Sequence, residues 1–339
     1  MMNLSPRVPP LRRAAQRGLT LLELMIALTI SLIVVLAALA ALLFARDGFS
    51  TVDTASQLRE NARFATTLIT RVVLQAGYQE WSEASGSVQR LDASQTGVTV
   101  EPDIQGFNNA VFNPASPGTT GNGTRPASCG ASTDTKCLNG SDVLMIRYQG
   151  HNDSTGAPDG SMIDCSGAAQ GAITAVGNIN QRATSYFYVD LVAGEPTLMC
   201  ASLNAAGTLT ASPLIEGIES FQVLYGAYQV TANTAPTALP IPPAPVINQW
   251  LRADQFVVTG NVNATNQNWQ RVLAVRVGIV MRSPTSQSGT ATSGTTVVYP
   301  FVDQSVPSAN DTGVALTVAA DRRVRQAFTF TINLRNSLL

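Results

Sequence analysis

The chain contains one histidine, His151, and one lysine, Lys136, among 339 residues. A zinc site built on imidazoles is therefore excluded, and a histidine base for serine or cysteine hydrolase chemistry has a single candidate. His151 lies in the turn-rich run Gln149-Gly150-His151-Asn152-Asp153, where a solvated loop histidine is the expectation. Charge of either sign is scarce: charged residues are 13% of the sequence and the net charge is −1. No basic field exists for a phosphate backbone, so nucleic acid is not an expected partner. The four cysteines, Cys129, Cys137, Cys165 and Cys200, show no CxxC spacing. Asn152, Asp153 and Asp159, with Gly156 and Gly160, lack the ligand alternation and closing glutamate of a calcium loop. Gly118, Gly121 and Gly123 sit in a long loop instead of between a strand and a helix, which removes a phosphate-cradling reading. No catalytic residue, metal site or cofactor is expected, and the chain reads as a non-enzyme.

Apolar residues, by contrast, reach 45%. From Leu24 to Ala45 there is no charge, and only Thr29 and Ser31 interrupt the apolar run. As a helix this stretch covers roughly 33 Å, enough for a hydrocarbon core of about 30 Å. Arg7, Arg12, Arg13 and Arg17 precede it without an acid, which places the N-terminus in the cytoplasm and the C-terminal bulk across the membrane. A cleavable secretory signal has a shorter apolar region, although Ala38-Leu39-Ala40 imitates its cleavage site. A plain signal anchor explains the length and the arginines. It has no use for Glu23, a lone carboxylate at the edge of the span.

A third reading uses every residue. Gly18 followed by Leu-Thr-Leu-Leu-Glu-Leu-Met-Ile resembles the class III signal of type IV pilins and type II secretion pseudopilins. The resemblance implies that a prepilin peptidase cuts between Gly18 and Leu19 and methylates the new amine of Leu19. It leaves Glu23 fifth in the mature chain, to neutralise the terminal amine of a neighbouring subunit inside a low-dielectric bundle. The leader is then 1–18, the N-terminal helix 19–76 with 24–45 in the membrane, and the head 77–339.

Beyond the span, Leu58, Ala62, Ala65, Ile69, Val72 and Ala76 recur every three or four residues and predict an amphipathic continuation of the same helix, with Gly77 as its stop. Gly48 is the helix-weakening position. The head reads as α+β, dominated by antiparallel strands. Strands are predicted at 98–100, 142–149, 218–225, 271–282, 295–301 and 327–334, with a hairpin joining 185–192 to 195–201 through Ala193-Gly194. Residues 231–246, with five prolines, cannot sit in a sheet. In an oxidising compartment the cysteines predict disulfides. Of three connectivities, sequence proximity favours Cys129 with Cys137 and Cys165 with Cys200. Arg322, Arg323 and Arg325 read as a solvated lead-in to the last strand, with a contact to the next subunit as the sharper option.

A second resemblance spans most of the chain. Leu58-Arg-Glu-Asn-Ala-Arg-Phe64, Ser141-Asp-Val-Leu, Arg147-Tyr-Gln-Gly150, Gly194-Glu-Pro-Thr-Leu-Met-Cys200, Pro213-Leu-Ile-Glu-Gly-Ile-Glu219, Gln222-Val-Leu-Tyr-Gly226 and Asp321-Arg-Arg323, in this order, resemble the PilW family of minor type IV pilins, relatives of the J-type minor pseudopilin. The resemblance implies a minor pilin that helps prime pilus assembly from a Gram-negative inner membrane. Its implied partners are the prepilin peptidase, other minor pilins, the major pilin and a tip adhesin. A pseudopilin of a secretion machine uses the same Gly18 and Glu23 chemistry. A DNA-uptake pilin would need a basic stripe that the composition does not supply.

Overall fold

The computed structural model describes residues 18, 20–79, 101–112, 114, 138–172, 182–204, 207–237, 245–284, 295–301, 315–319, 321 and 323–336. The chain divides into two compact units, 1–52 and 53–339.

In the first unit the described chain is helical from Leu21, the start of α1 (Leu21–Val73). The apolar side chains there are exposed, and the helix is long and apolar enough to cross a membrane by length and composition. Its two polar interruptions are satisfied locally: Thr29 Oγ1 donates to the Ile26 carbonyl and Ser31 Oγ to that of Leu28. No hydroxyl of the span is left to be solvated by lipid, where nothing could solvate it. Gly48 lies within the helix.

In the second unit the rest of α1 packs on a β-rich head. The expected stripe is buried: Leu58, Ala62, Ala65, Ile69 and Val72 are each at most 2% exposed. They share one core with Leu144 and Ile146, with Phe221 and Val223, and with Val275 and Val277. The first two pairs alternate along β2 (Val143–Tyr148) and β6 (Ile218–Ala227), and the third along β8 (Val272–Arg282). A five-stranded antiparallel sheet runs in sequence order through β1 (Ile104–Phe107), β2, β3 (Ala183–Val192), β4 (Glu195–Leu203) and β5 (Leu209–Glu216). A four-stranded sheet has the order β11-β8-β6-β7, with β7 at Gln249–Leu251 and β11 at Arg325–Asn333. A separate antiparallel pair joins β9 (Thr295–Val298) to β10 (Leu316–Ala319). The buried Asp142 carboxylate ties the sheets together, accepting from the N–H of Asn109 beyond β1 and of Val223 in β6.

The β3–β4 hairpin turns at Ala193 and Gly194, both at positive φ (51° and 85°), the two-residue turn whose twist matches the strands. On β11, Phe328, Phe330 and Ile332 face the core as their alternation predicts.

Four features depart from the sequence reading. Regular helix ends at Val73, before Ala76, because long-range partners take the groups of the next turn. Gly77 N–H donates to the Arg147 carbonyl, Asn336 Nδ2 donates to the Ala76 carbonyl, and the Gln75 amide pairs with both backbone groups of Ile163. Strand β5 was hidden by Pro213, which is tolerated because β5 is an edge. Strands β1, β7 and β10 are only three or four residues long. Helix α2 (Val262–Trp269) is rich in Asn and poor in helix formers. It is held by the Asn261 cap on Ala264 N–H and by Asn268 Nδ2, which bonds the Thr234 and Phe256 carbonyls. The strand expected at 98–100 lies outside the described residues.

Candidate functional site

Gly18 is exposed, and a side chain added there would meet nothing within 4 Å. Leu19, across the expected cleavage bond, lies outside the described residues. Thr20 follows as the N-terminal cap of α1, its carbonyl accepting from Leu24 N–H. Thr20 Oγ1 accepts from Glu23 N–H at 3.2 Å. In return Glu23 Oε2 accepts from Thr20 N–H at 3.0 Å and from its hydroxyl at 3.1 Å. This is a reciprocal capping box, which satisfies two of the donors a helix start leaves open. Glu23 is thus held at the helix N-terminus, an exposed carboxylate beside the positive end of the helix dipole. Sequence reasoning gave Glu23 only an intermolecular use and missed Thr20. The spacing Thr20-x-x-Glu23 before an apolar run was the signal.

The Cys165–Cys200 pair is a disulfide, with both residues buried, and it fastens the loop after β2 to β4. Cys129 and Cys137 lie outside the described residues.

His151 has a partner that sequence could not name: its Nδ1 lies 2.9 Å from Asp159 Oδ2. Asp159 is held low, at about 2, mainly by the Ser161 hydroxyl and N–H. Asp153 is likewise engaged by Thr155 and Ala157. These carboxylates close turns, as Asx chemistry expects. Among the described residues no group of three or more His, Cys, Asp or Glu is placed to hold a metal ion.

The arginine cluster before β11 is neither solvated lead-in nor free contact surface. Arg325 bonds Glu219 and Asp321 at 2.6 Å each. Arg282 bonds Glu195 at 2.7 Å and Glu219 at 3.0 Å, and Arg323 reaches Glu195 at 3.2 Å. Three guanidinium groups and three carboxylates thus join the β3–β4 turn to the ends of β6, β8 and β11. Arg322 lies outside the described residues. Hydrogen bonds to Arg325 hold Asp321 at about 2, and bonds to Arg282 and Arg323 hold Glu195 below the usual carboxylate range.

Comparison with known proteins addresses both ends of the chain. The family model described as type IV pilus-assembly protein W matches residues 185–336, and that of the prokaryotic N-terminal methylation motif matches residues 13–39. A type IV-like pilin from Thermus thermophilus is similar in structure at 12% identity, covering 83% of this chain and 98% of its own, with a TM-score of 0.39. No curated protein sequence matches the chain. The methylation motif implies processing by a prepilin peptidase and pilin–pilin assembly in general, and with the apolar helix it fits membrane anchoring and incorporation into a pilus.

Proposed function

We propose, for a chain that is PilW-like in its head and prepilin-like at its N-terminus, that it is a minor pilin which helps initiate type IV pilus assembly. In this reading cleavage after Gly18 frees and methylates the Leu19 amine. The subunit waits in the inner membrane with its head in the periplasm, then enters the filament at or near the tip with other minor pilins. The observation that carries it is the division of labour along α1. Its first half exposes an apolar surface headed by Glu23, and its second half is built into the head's core.

The capping box adds a step. In the free subunit Glu23 is occupied by its own Thr20, so the carboxylate enters the apolar span already hydrogen-bonded. Docking then exchanges or supplements that bond with a neighbour's terminal ammonium, and a charge-assisted bond in low dielectric is the stronger of the two. Glu23→Ala should leave processing intact and abolish recovery of the protein in sheared pili, as read by immunoblot and mass spectrometry. Unaltered incorporation would sink the assignment of Glu23. Gly18→Leu should leave a precursor about 2 kDa heavier, since the leader stays attached.

A further inference from the structure

We infer that residues 75–78, just past the last helical turn of α1, are a tension clamp that keeps the head seated on α1 under load. The clamp takes the pilin reading above as its premise: a subunit held in a filament by the first half of α1 receives any pull through that helix.

The buried stripe gives α1 its place but little grip along its axis. Ala62, Ala65 and Ala76 supply three of its positions, and a methyl group interlocks only shallowly with the strands it faces. Apolar burial is non-directional, so a helix displaced along its own axis trades one apolar contact for another. Hydrogen bonds weaken steeply with misalignment and are lost within a short displacement. At the end of α1 they are gathered on four consecutive residues.

Gln75 Nε2 donates to the Ile163 carbonyl at 2.9 Å, and Gln75 Oε1 accepts from Ile163 N–H at 2.8 Å. Both residues are buried. The Ala76 carbonyl accepts from Asn336 Nδ2 at 3.1 Å. Gly77 N–H donates to the Arg147 carbonyl at 3.0 Å, and the Tyr78 carbonyl accepts from Gln149 N–H at 2.9 Å. Gly77, at φ 73°, turns the chain out of the helix so that successive residues face different partners.

Each partner is itself fastened. Arg147 lies in β2, inside the five-stranded sheet, and Gln149 follows just after that strand. Asn336 follows β11, where Leu334 N–H donates to the Leu273 carbonyl of β8. Ile163 lies between β2 and β3, and Cys165, two residues on, secures it: the disulfide to Cys200 reaches β4, and Cys165 N–H donates to Ser185 Oγ in β3. A pull on Gln75 therefore runs through Ile163 and the disulfide into β4. The tethers engage both sheets at once, so they share the pull and fail together.

The test is forced unfolding of the full chain in detergent at constant load, with tags in one of two placements. Tags at the two termini load the head through α1. Tags in the β4–β5 turn at Gly207 and at the C-terminus bypass that helix. Lifetime under load reports the unfolding rate and not the equilibrium stability. With terminal tags, Gln75→Leu should shorten the lifetime about tenfold. Asn336→Ala, at a half-buried position past the last strand, removes a different tether and should act in the same direction. Cys165→Ala with Cys200→Ala should match Gln75→Leu and add little to it, because the two act in series. With the Gly207 tag, Gln75→Leu should change the lifetime less than about twofold. Equal shortening in both placements, losses that add fully in the combined variant, or unchanged lifetimes with terminal tags would overturn the clamp. None of these outcomes touches the pilin reading, which the Glu23→Ala incorporation assay decides.

Discussion

Glu219 is the keystone of the head's charge cluster, and its removal has a calculable consequence. It is 3% exposed and accepts from Arg282 Nη1 at 3.0 Å and from Arg325 Nε and Nη2 at 2.6 and 3.0 Å. Glu219→Ala leaves two guanidinium groups facing each other where solvent is largely excluded. Breaking a buried pair by deleting one partner costs roughly 3–5 kcal/mol, because the remaining charge is uncompensated. Here Glu195 still holds Arg282 and Asp321 still holds Arg325, so the loss should sit at the lower end, about 3 kcal/mol. Removing both partners behaves differently. Glu219→Met with Arg325→Met strands no charge between them and should cost less than the sum of the Glu219→Met and Arg325→Met losses, a coupling energy on the order of 2 kcal/mol. Urea unfolding of the mature chain in detergent, followed through the buried indole of Trp269, supplies the midpoints. A Glu219→Ala loss below about 0.5 kcal/mol, or strictly additive losses, would refute the reasoning.

The remaining predictions concern acid, the disulfide and one glycine. Asp321 and Glu195 have folded pKa values below their unfolded ones, so their contribution is complete above about pH 4.5 and is lost as pH falls toward 2. Unfolding midpoints measured from pH 6 to pH 2 should fall across that window, and Arg325→Met should flatten the fall. Cys165→Ala with Cys200→Ala opens a loop with a sequence separation of 35 and should cost about 4 kcal/mol by chain entropy, read from the same urea titration. A loss near zero would argue that the loop is ordered without the bond. Gly106→Ala should cost about 3 kcal/mol, as its methyl would meet the Tyr225 hydroxyl and lie 2.7 Å from the ring carbon bearing it. Tyr225 cannot yield, being fully buried edge-on against both Phe256 and Trp269. Tyr225→Phe should therefore not rescue the variant in thermal melts.

What was legible in the sequence was whatever repeats locally. The stripe from Leu58 to Ala76 and the alternation in 271–282 and 327–334 announce helix and strand because side chains three, four or two apart share a face. The cluster around Glu219 was not legible, since Arg325 lies 106 residues away and Arg323 lies 128 residues from Glu195. Yet Glu195, Glu219, Asp321 and Arg323 all sit in segments that carried the family resemblance. Three separate strings turn out to mark one constraint in space. Thr20 was missed for the opposite reason: its partner is three residues away, but Glu23 had already been assigned to a neighbour.

The end of α1 has a consequence in time. Its last turn is closed by Ile163, 88 residues downstream of Gln75, and by Asn336, 260 residues downstream of Ala76. At 5–20 residues per second, synthesis needs roughly 13–50 s to bring Asn336 out after Ala76. Until β2, β6 and β8 have followed, the stripe from Leu58 to Val72 has emerged without the strands that cover it. Heads interrupted before Asn336 is made should therefore be cut by protease within residues 58–76. The first element to be made is the last to be sealed.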